Sequence, residues 1–286
     1  MSFDLYFKPK DRAFGSNEFN AYFKGRQHYE WQMNDVTYAN ESTGVYFHFS
    51  YAAPSKELPE GEIAFNMNLI RPSPFALEAE PEVTAFVEHF HFAIDDPQVD
   101  GMGSGPYTKE GFISSWSNSN KFGYSSVQQT FQTLPSQTLE QIWRWNFEST
   151  KLQKQLGEGI FVPRFFTGVL EGRVKTFVVW GDGIPIALPK ADLLLLVRER
   201  TSPKKILLIP QQTLAIVRYS EAEKLLEKFP ESQASLPYKN LNYKNDNKDV
   251  DEFFTHSESI CDTSKLVQIT FDQILDTELW EKTRKH

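Results

Sequence analysis

The sequence predicts an α+β fold: an antiparallel sheet with helices on one face, arranged as two sheet-containing subdomains. Three observations predict it. Residues 45–51 and 63–69 alternate apolar and polar side chains with period two, as strands with one buried face do. The order strand, helix, several strands, helix over the first 90 residues is that of a layered α+β unit rather than of strictly alternating βα pairs. Residues 161–217 are the most apolar and β-prone stretch, in short runs punctuated by Gly, Pro and Asp, and they place a second sheet in the later half. A boundary is expected in the Gly-, Asp- and Pro-rich stretch 95–107. It divides an N-terminal domain over 1–97 from a C-terminal domain over 108–286, whose central sheet is 161–217.

Taken in order, Phe3, Leu5 and Phe7 alternate with polar neighbours and form a first strand. Ser16 is placed to cap a short helix whose inner stripe is Phe19, Tyr22 and Phe23, with Gly25 as its left-handed end. Strands over 29–33 and 36–39 are joined at Asn34-Asp35. The turn at 41–44 leads into the alternating pair 45–51 and 63–69, whose polar face carries Tyr46, His48, Asn66 and Asn68. Pro81 suits a first helical turn. Val83, Phe86, Val87 and Phe90 then keep helical spacing over about ten residues, and Phe92 and Ile94 begin another strand.

Thr108 is placed to cap a helix with Phe112, Ile113 and Trp116, and Ser136 a longer one ending at Gly157. Glu171-Gly172 marks a hairpin between strands at 165–170 and 174–180. Gly181-Asp182-Gly183 is a further turn. Consecutive apolar residues at 193–197 and 206–209, linked by a turn at 201–204, read as strands covered on both faces. Ser220 and Glu223 match a capping box ahead of Leu225, Leu226 and Phe229. Residues 231–262 are polar, with three lysines against six acids from 239 onward, and read as a loose loop. A strand from Leu266 and a last helix capped by Asp272 complete the chain. No 20–50-residue repeat is present.

The formal net charge is −8 and the pI near 5.4. That balance disfavours nucleic acid, which selects a basic stripe, and suits a basic protein partner. Phe, Tyr and Trp make up 14% of the chain, enough to demand a substantial core or an interface. The single cysteine, Cys261, excludes an internal disulfide and a cysteine-based zinc site. Apolar runs fall far short of the ~20 residues that span a bilayer, and the first residues lack the pattern of a secretory leader. A cytoplasmic protein without membrane contact or cofactor is expected.

Candidate chemistry is sparse. His89 and His91, near Asp95 and Asp96, resemble a metal cluster, but helical spacing turns rings at i and i+2 about 200° apart and favours surface histidines. Ser104 in Gly101-Met-Gly-Ser-Gly is one residue out of register for a nucleophile elbow, and no P-loop lysine follows. Asp182, between two glycines at a strand end, would be the catalytic carboxylate of a hydrolase, with Asp192 as its partner; as a turn residue it also caps its own backbone. Glu78, Glu80 and Glu82, with Asp95, Asp96 and Asp100, form an acidic run, either a solvated face or a docking surface for a basic partner; as a docking surface it is expected to use Glu78, Glu80, Glu82, Asp95 and Asp96 with Tyr46 and His48.

The opening Ser-Phe-Asp-Leu-Tyr-Phe-Lys-Pro, residues 41–49 and Trp-Gly-Asp-Gly-Ile-Pro-Ile at 180–186 resemble an uncharacterised family of bacterial cytosolic proteins. The general look is similar to the α+β immunity proteins that neutralise secreted toxins. The resemblance implies a non-catalytic binding protein that occludes a basic toxin domain. The alternatives are a hydrolase using Asp182 and Asp192, and a structural subunit of a larger assembly.

Overall fold

The computed structural model describes residues 1–10, 14–58, 61–199, 213–232, 236–243 and 247–284. The chain is α+β and divides into two compact units, residues 1–140 with 271–286 (unit 1) and residues 141–270 (unit 2). The stretch 95–107 falls within unit 1.

Unit 1 begins with β1 (Ser2–Lys8), α1 (Ser16–Phe23), β2 (Tyr29–Gln32), β3 (Asp35–Asn40), β4 (Val45–Ala52) and β5 (Glu62–Asn68). It continues with α2 (Pro74–Phe90), β6 (Ala93–Asp96), β7 (Gly103–Gly105), α3 (Lys109–Ser126) and β8 (Gln132–Leu134). The first seven strands form one antiparallel sheet in the order β2-β3-β4-β5-β1-β6-β7. Period-two alternation fixes its inner face. Phe3, Leu5, Phe47, Phe49, Phe65 and Met67 are completely buried. Phe86 of α2 meets Phe49 at 5.0 Å between ring centroids, and Phe112 of α3 meets Phe3 at 5.5 Å. Each such ring contributes about 1.5–3 kcal/mol by leaving water, so the aromatic surplus is in large part a core.

Local signals differ from expectation at several points. The β2–β3 turn is Met33-Asn34, because Gln32 pairs with Asp35 and this register puts Val36 on the buried face. Gly15, not Ser16, precedes α1, and its N–H donates to Glu18. Pro74 occupies the first turn of α2 and Pro81 lies inside the helix. The extra turns carry Glu78 and Glu80 into the fold.

The boundary between the units falls within α4 (Ser136–Leu156). Unit 2 then contains β9 (Phe165–Leu170), β10 (Arg173–Gly181), β11 (Ile186–Leu188), β12 (Leu193–Val197), β13 (Leu214–Arg218), α5 (Tyr219–Leu226), β14 (Lys239–Leu241), α6 (Lys248–His256) and β15 (Val267–Ile269). Its five-stranded sheet runs β13-β12-β10-β9-β15, with β10 and β12 parallel and the other pairs antiparallel. Val178, Trp180, Leu194 and Val217 pack on one side with α5 and α6; Leu170, Phe177, Leu193 and Ile216 pack on the other. The apolar run at 193–197 thus forms a strand with two apolar faces, as expected. Glu171 and Gly172 both take positive φ in the hairpin that their sequence predicts.

Residues 231–262 are not simply a loop. Val250, Phe253 and Phe254 give α6 an apolar stripe, and the side chain of Asn247 accepts from the first-turn N–H groups of Asp249 and Val250. The capping interaction of α5 joins Arg218 and Glu221 rather than Ser220 and Glu223. Asp272 lies in a short 3-10 turn, followed by β16 (Ile274–Asp276) and α7 (Thr277–Thr283), both in unit 1; β16 pairs in parallel with β8. The turn expected at 201–204 and the strand expected at 206–209 lie outside the described residues.

Candidate binding surface

The acidic run on α2 is not a surface. Glu78 is 3% exposed and accepts from Tyr38 Oη at 2.8 Å, Asn40 Nδ2 at 2.7 Å and Thr43 Oγ1 at 3.1 Å. Glu80, also buried, accepts from Thr84 and from Tyr107 Oη at 3.4 Å, and pairs with Lys109 Nζ at 3.2 Å. Glu82 receives Arg26 Nη2 and Tyr29 Oη, each at 2.8 Å. These carboxylates answer hydroxyls and cations of their own unit, because the early start of α2 turns them inward. Burial and the adjacent carboxylates raise the phenols of Tyr29 and Tyr38 far above the ordinary tyrosine value.

Asp96 is buried as well. Its carboxylate accepts from the backbone N–H of Gln98 at 3.1 Å and of Met102 at 3.0 Å, closing the loop between β6 and β7. Gly101 lies so close that a Cβ there would stand 2.5 Å from the Asp96 carboxylate.

Asp182 and Asp192 do not converge. Asp192 sits where β12 begins, and its Oδ2 accepts from Thr176 N at 2.8 Å and Thr176 Oγ1 at 3.0 Å. Asp182 follows the other end of β10, in a turn with φ +41°, and its N–H donates to Val197. Six residues of β-strand separate the two ends, about 20 Å. His89 lies in the last turn of α2 and packs against Tyr22 and Phe90, while His91 is the left-handed residue that ends the helix. Among the described residues no group of three or more His, Cys, Asp or Glu is placed to hold a metal ion. In unit 2, Arg198 is completely buried; its Nη1 donates to the carbonyls of Phe254 and Ser257 at the end of α6, a placement the sequence did not signal.

Three of the predicted residues, Tyr46, His48 and Asp95, share the outer face of the seven-stranded sheet, opposite the aromatic core. The register assembles the rest of that face. One row across the strands reads Asp35, Ser50, Ala64, Tyr6, Asp95, Ser104, and the next reads Thr37, His48, Asn66, Asp4. All of these residues are exposed or half-buried. His48 Nδ1 lies 2.9 Å from Thr37 Oγ1; desolvation by its neighbours lowers the imidazole pKa, and Asp35 opposes that. Asp4 accepts from Asn66 and from Ser2 Oγ. Asp95 accepts from Ser104 Oγ at 2.6 Å and pairs with Lys8 Nζ at 3.0 Å, and these contacts lower its pKa. Burial raises the Tyr6 phenol, reinforced by Asp4, Glu62 and Asp95. At one end of the face Tyr46 Oη accepts from Arg71 Nε at 3.0 Å and Nη2 at 2.6 Å and donates to Asp272 Oδ2 at 3.3 Å.

Asp4, Tyr6, Asp35 and Glu62 were missing from the sequence candidates. The signal was present: each alternates with a core residue of its own strand, so strand period alone sets it on the face that carries Tyr46 and His48. The two units also differ in charge. Unit 1 holds 22 Asp and Glu against 12 Lys and Arg, net −10; unit 2 holds 16 against 18, net +2.

Fold and surface together define an α+β protein whose larger sheet is packed with aromatic rings on one face and lined with acids and hydroxyls on the other. Compared with protein-family models, curated proteins and solved structures, the chain matches none of them. Among the described residues no helix is long and apolar enough to cross a membrane.

Proposed function

We propose that the protein is a non-catalytic binding protein that neutralises a basic protein partner by covering it, in the manner of a bacterial immunity protein against a toxin domain. The observation that carries this reading is the outer face of the unit 1 sheet, where Asp4, Asp35, Glu62 and Asp95 stand against Lys8 in the unit that holds the chain's whole negative excess. A like-signed field of this kind draws an oppositely charged protein to one side of the molecule and speeds encounter. The tyrosines on the same face supply rigid contact area at small entropic cost.

The test has two parts. The protein is used as bait in its native host, and a captured basic protein is then co-expressed with it in a sensitive cell. Protection from the partner's toxicity is the expected result. Its association rate should fall by about tenfold or more between 50 mM and 500 mM salt, as the Debye length shrinks from about 14 Å to about 4 Å. Capture of no basic protein, or a captured one whose toxicity is undiminished, overturns the proposal.

A further inference from the structure

We propose, resting on the binding reading above, that the sheet face of unit 1 receives a lysine or arginine side chain of the partner in a recess floored by Ser50 and Ala64. The register makes the recess. Ser50 and Ala64 are directly paired and lie between Asp35 on β3 and Tyr6 on β1. Two small residues therefore separate two larger ones, across three strand spacings of about 4.8 Å each. The adjoining row closes one long side with the bulkier His48 and Asn66. On the other side Glu62 pairs with Ala52 and is exposed.

Charge selects the occupant. Asp35 and Glu62 flank the recess, and among the described residues neither carboxylate has a hydrogen-bond or ion-pair partner. The same face already holds one such contact within the chain, Lys8 on Asp95 beside Tyr6. A partner's cation entering over Ala64 gains the two free carboxylates, whereas an anion would meet like charge on two sides.

The probe is a lysine decapeptide titrated into the whole 15N-labelled protein at low salt, read from amide shifts and from its dissociation constant. Shifts centred on Tyr6, Ser50 and Ala64 are expected. The double variant Asp35→Asn/Glu62→Gln should weaken binding roughly tenfold, and Ala64→Leu, which fills the recess without altering charge, should weaken it comparably. The control Glu88→Gln/Glu110→Gln neutralises two exposed carboxylates on α2 and α3, in the helix layer, and should change binding less than about twofold. Equal losses in the control and the Asp35/Glu62 variant, or unaltered binding by Ala64→Leu, overturn the recess. The two proposals fail separately. A recess that binds the peptide while no toxic partner is captured leaves the recess standing and sinks the immunity reading; a neutralised partner indifferent to Ala64→Leu does the reverse.

Discussion

Glu78 accepts hydrogen bonds from Tyr38, Asn40 and Thr43 inside unit 1, all three from the β3–β4 hairpin. A carboxylate with three donors in a site 3% exposed binds the hairpin to α2, and its removal leaves those donors without an acceptor. Glu78→Ala should cost about 3 kcal/mol in urea unfolding, and Glu78→Gln, which keeps an acceptor oxygen, about 1 kcal/mol. Equal small losses would mean that water replaces the carboxylate. The buried phenols of unit 1 make a second prediction. Tyr29, Tyr38, Tyr107 and Tyr124 of unit 1 are raised chiefly by burial, and Tyr22 to about 12. A group whose folded pKa lies above its unfolded value stabilises the fold fully below the unfolded value, about 10, and loses that contribution as pH climbs through the folded one. Unit 1 should therefore unfold progressively above about pH 10, with phenolate absorbance at 295 nm rising together with loss of circular dichroism. Phenolate appearing well before any unfolding would contradict the burial. None of this was legible in sequence, where Glu78, Glu80 and Glu82 look like one solvated acidic run; only the inward turn of α2 distinguishes them.

Elements were legible where one period ran unbroken. β1, β4 and β5 follow from alternation alone, and the Glu171-Gly172 hairpin from its turn residues. α2 was read too short because Pro81 resembles a helix start, although Pro74 fills that role and the interior proline is accommodated. α6 was missed for a different reason. Four acids and lysines in nine residues mask an apolar stripe only three residues wide, and the surrounding polar segment hides its boundaries. That stripe nonetheless holds much of unit 2 together. Phe254 is completely buried, meets the Trp180 ring edge-on at 4.9 Å, and its carbonyl accepts from Arg198. Phe254→Ala should lower stability by about 3–5 kcal/mol, measured by urea unfolding, through lost transfer energy and the cavity it opens. A cost below about 1 kcal/mol would return residues 248–256 to the status of a loose loop.

At the scale of the whole chain, unit 1 is closed by residues far from it in sequence. Ile274, Leu275 and Asp276 are completely buried, β16 pairs with β8, and Asp276 accepts from Ser73 N at 2.9 Å and Tyr124 Oη at 3.1 Å. Asp272 holds Tyr46 and Arg71 at the margin of the outer sheet face. Local sequence could not reveal this, since the return depends on partners some 140 to 230 residues away, and the same residues read equally well as a terminal helix. It gives a sharp test of the division into units. A chain ending at Thr270 loses β16 and α7 yet keeps every residue of unit 2. Hydrogen exchange should then show lost protection in β8 and the C-terminal half of α3, where Tyr124 has lost its carboxylate, while β10 and β12 exchange as slowly as before. The outer face should lose order first at Tyr46, so binding of a basic peptide should weaken less than Ala64→Leu weakens it, because the recess at Ser50 and Ala64 lies farther along the same strands. Uniform loss of protection across β8, β10 and β12 would show instead that the two units unfold as one.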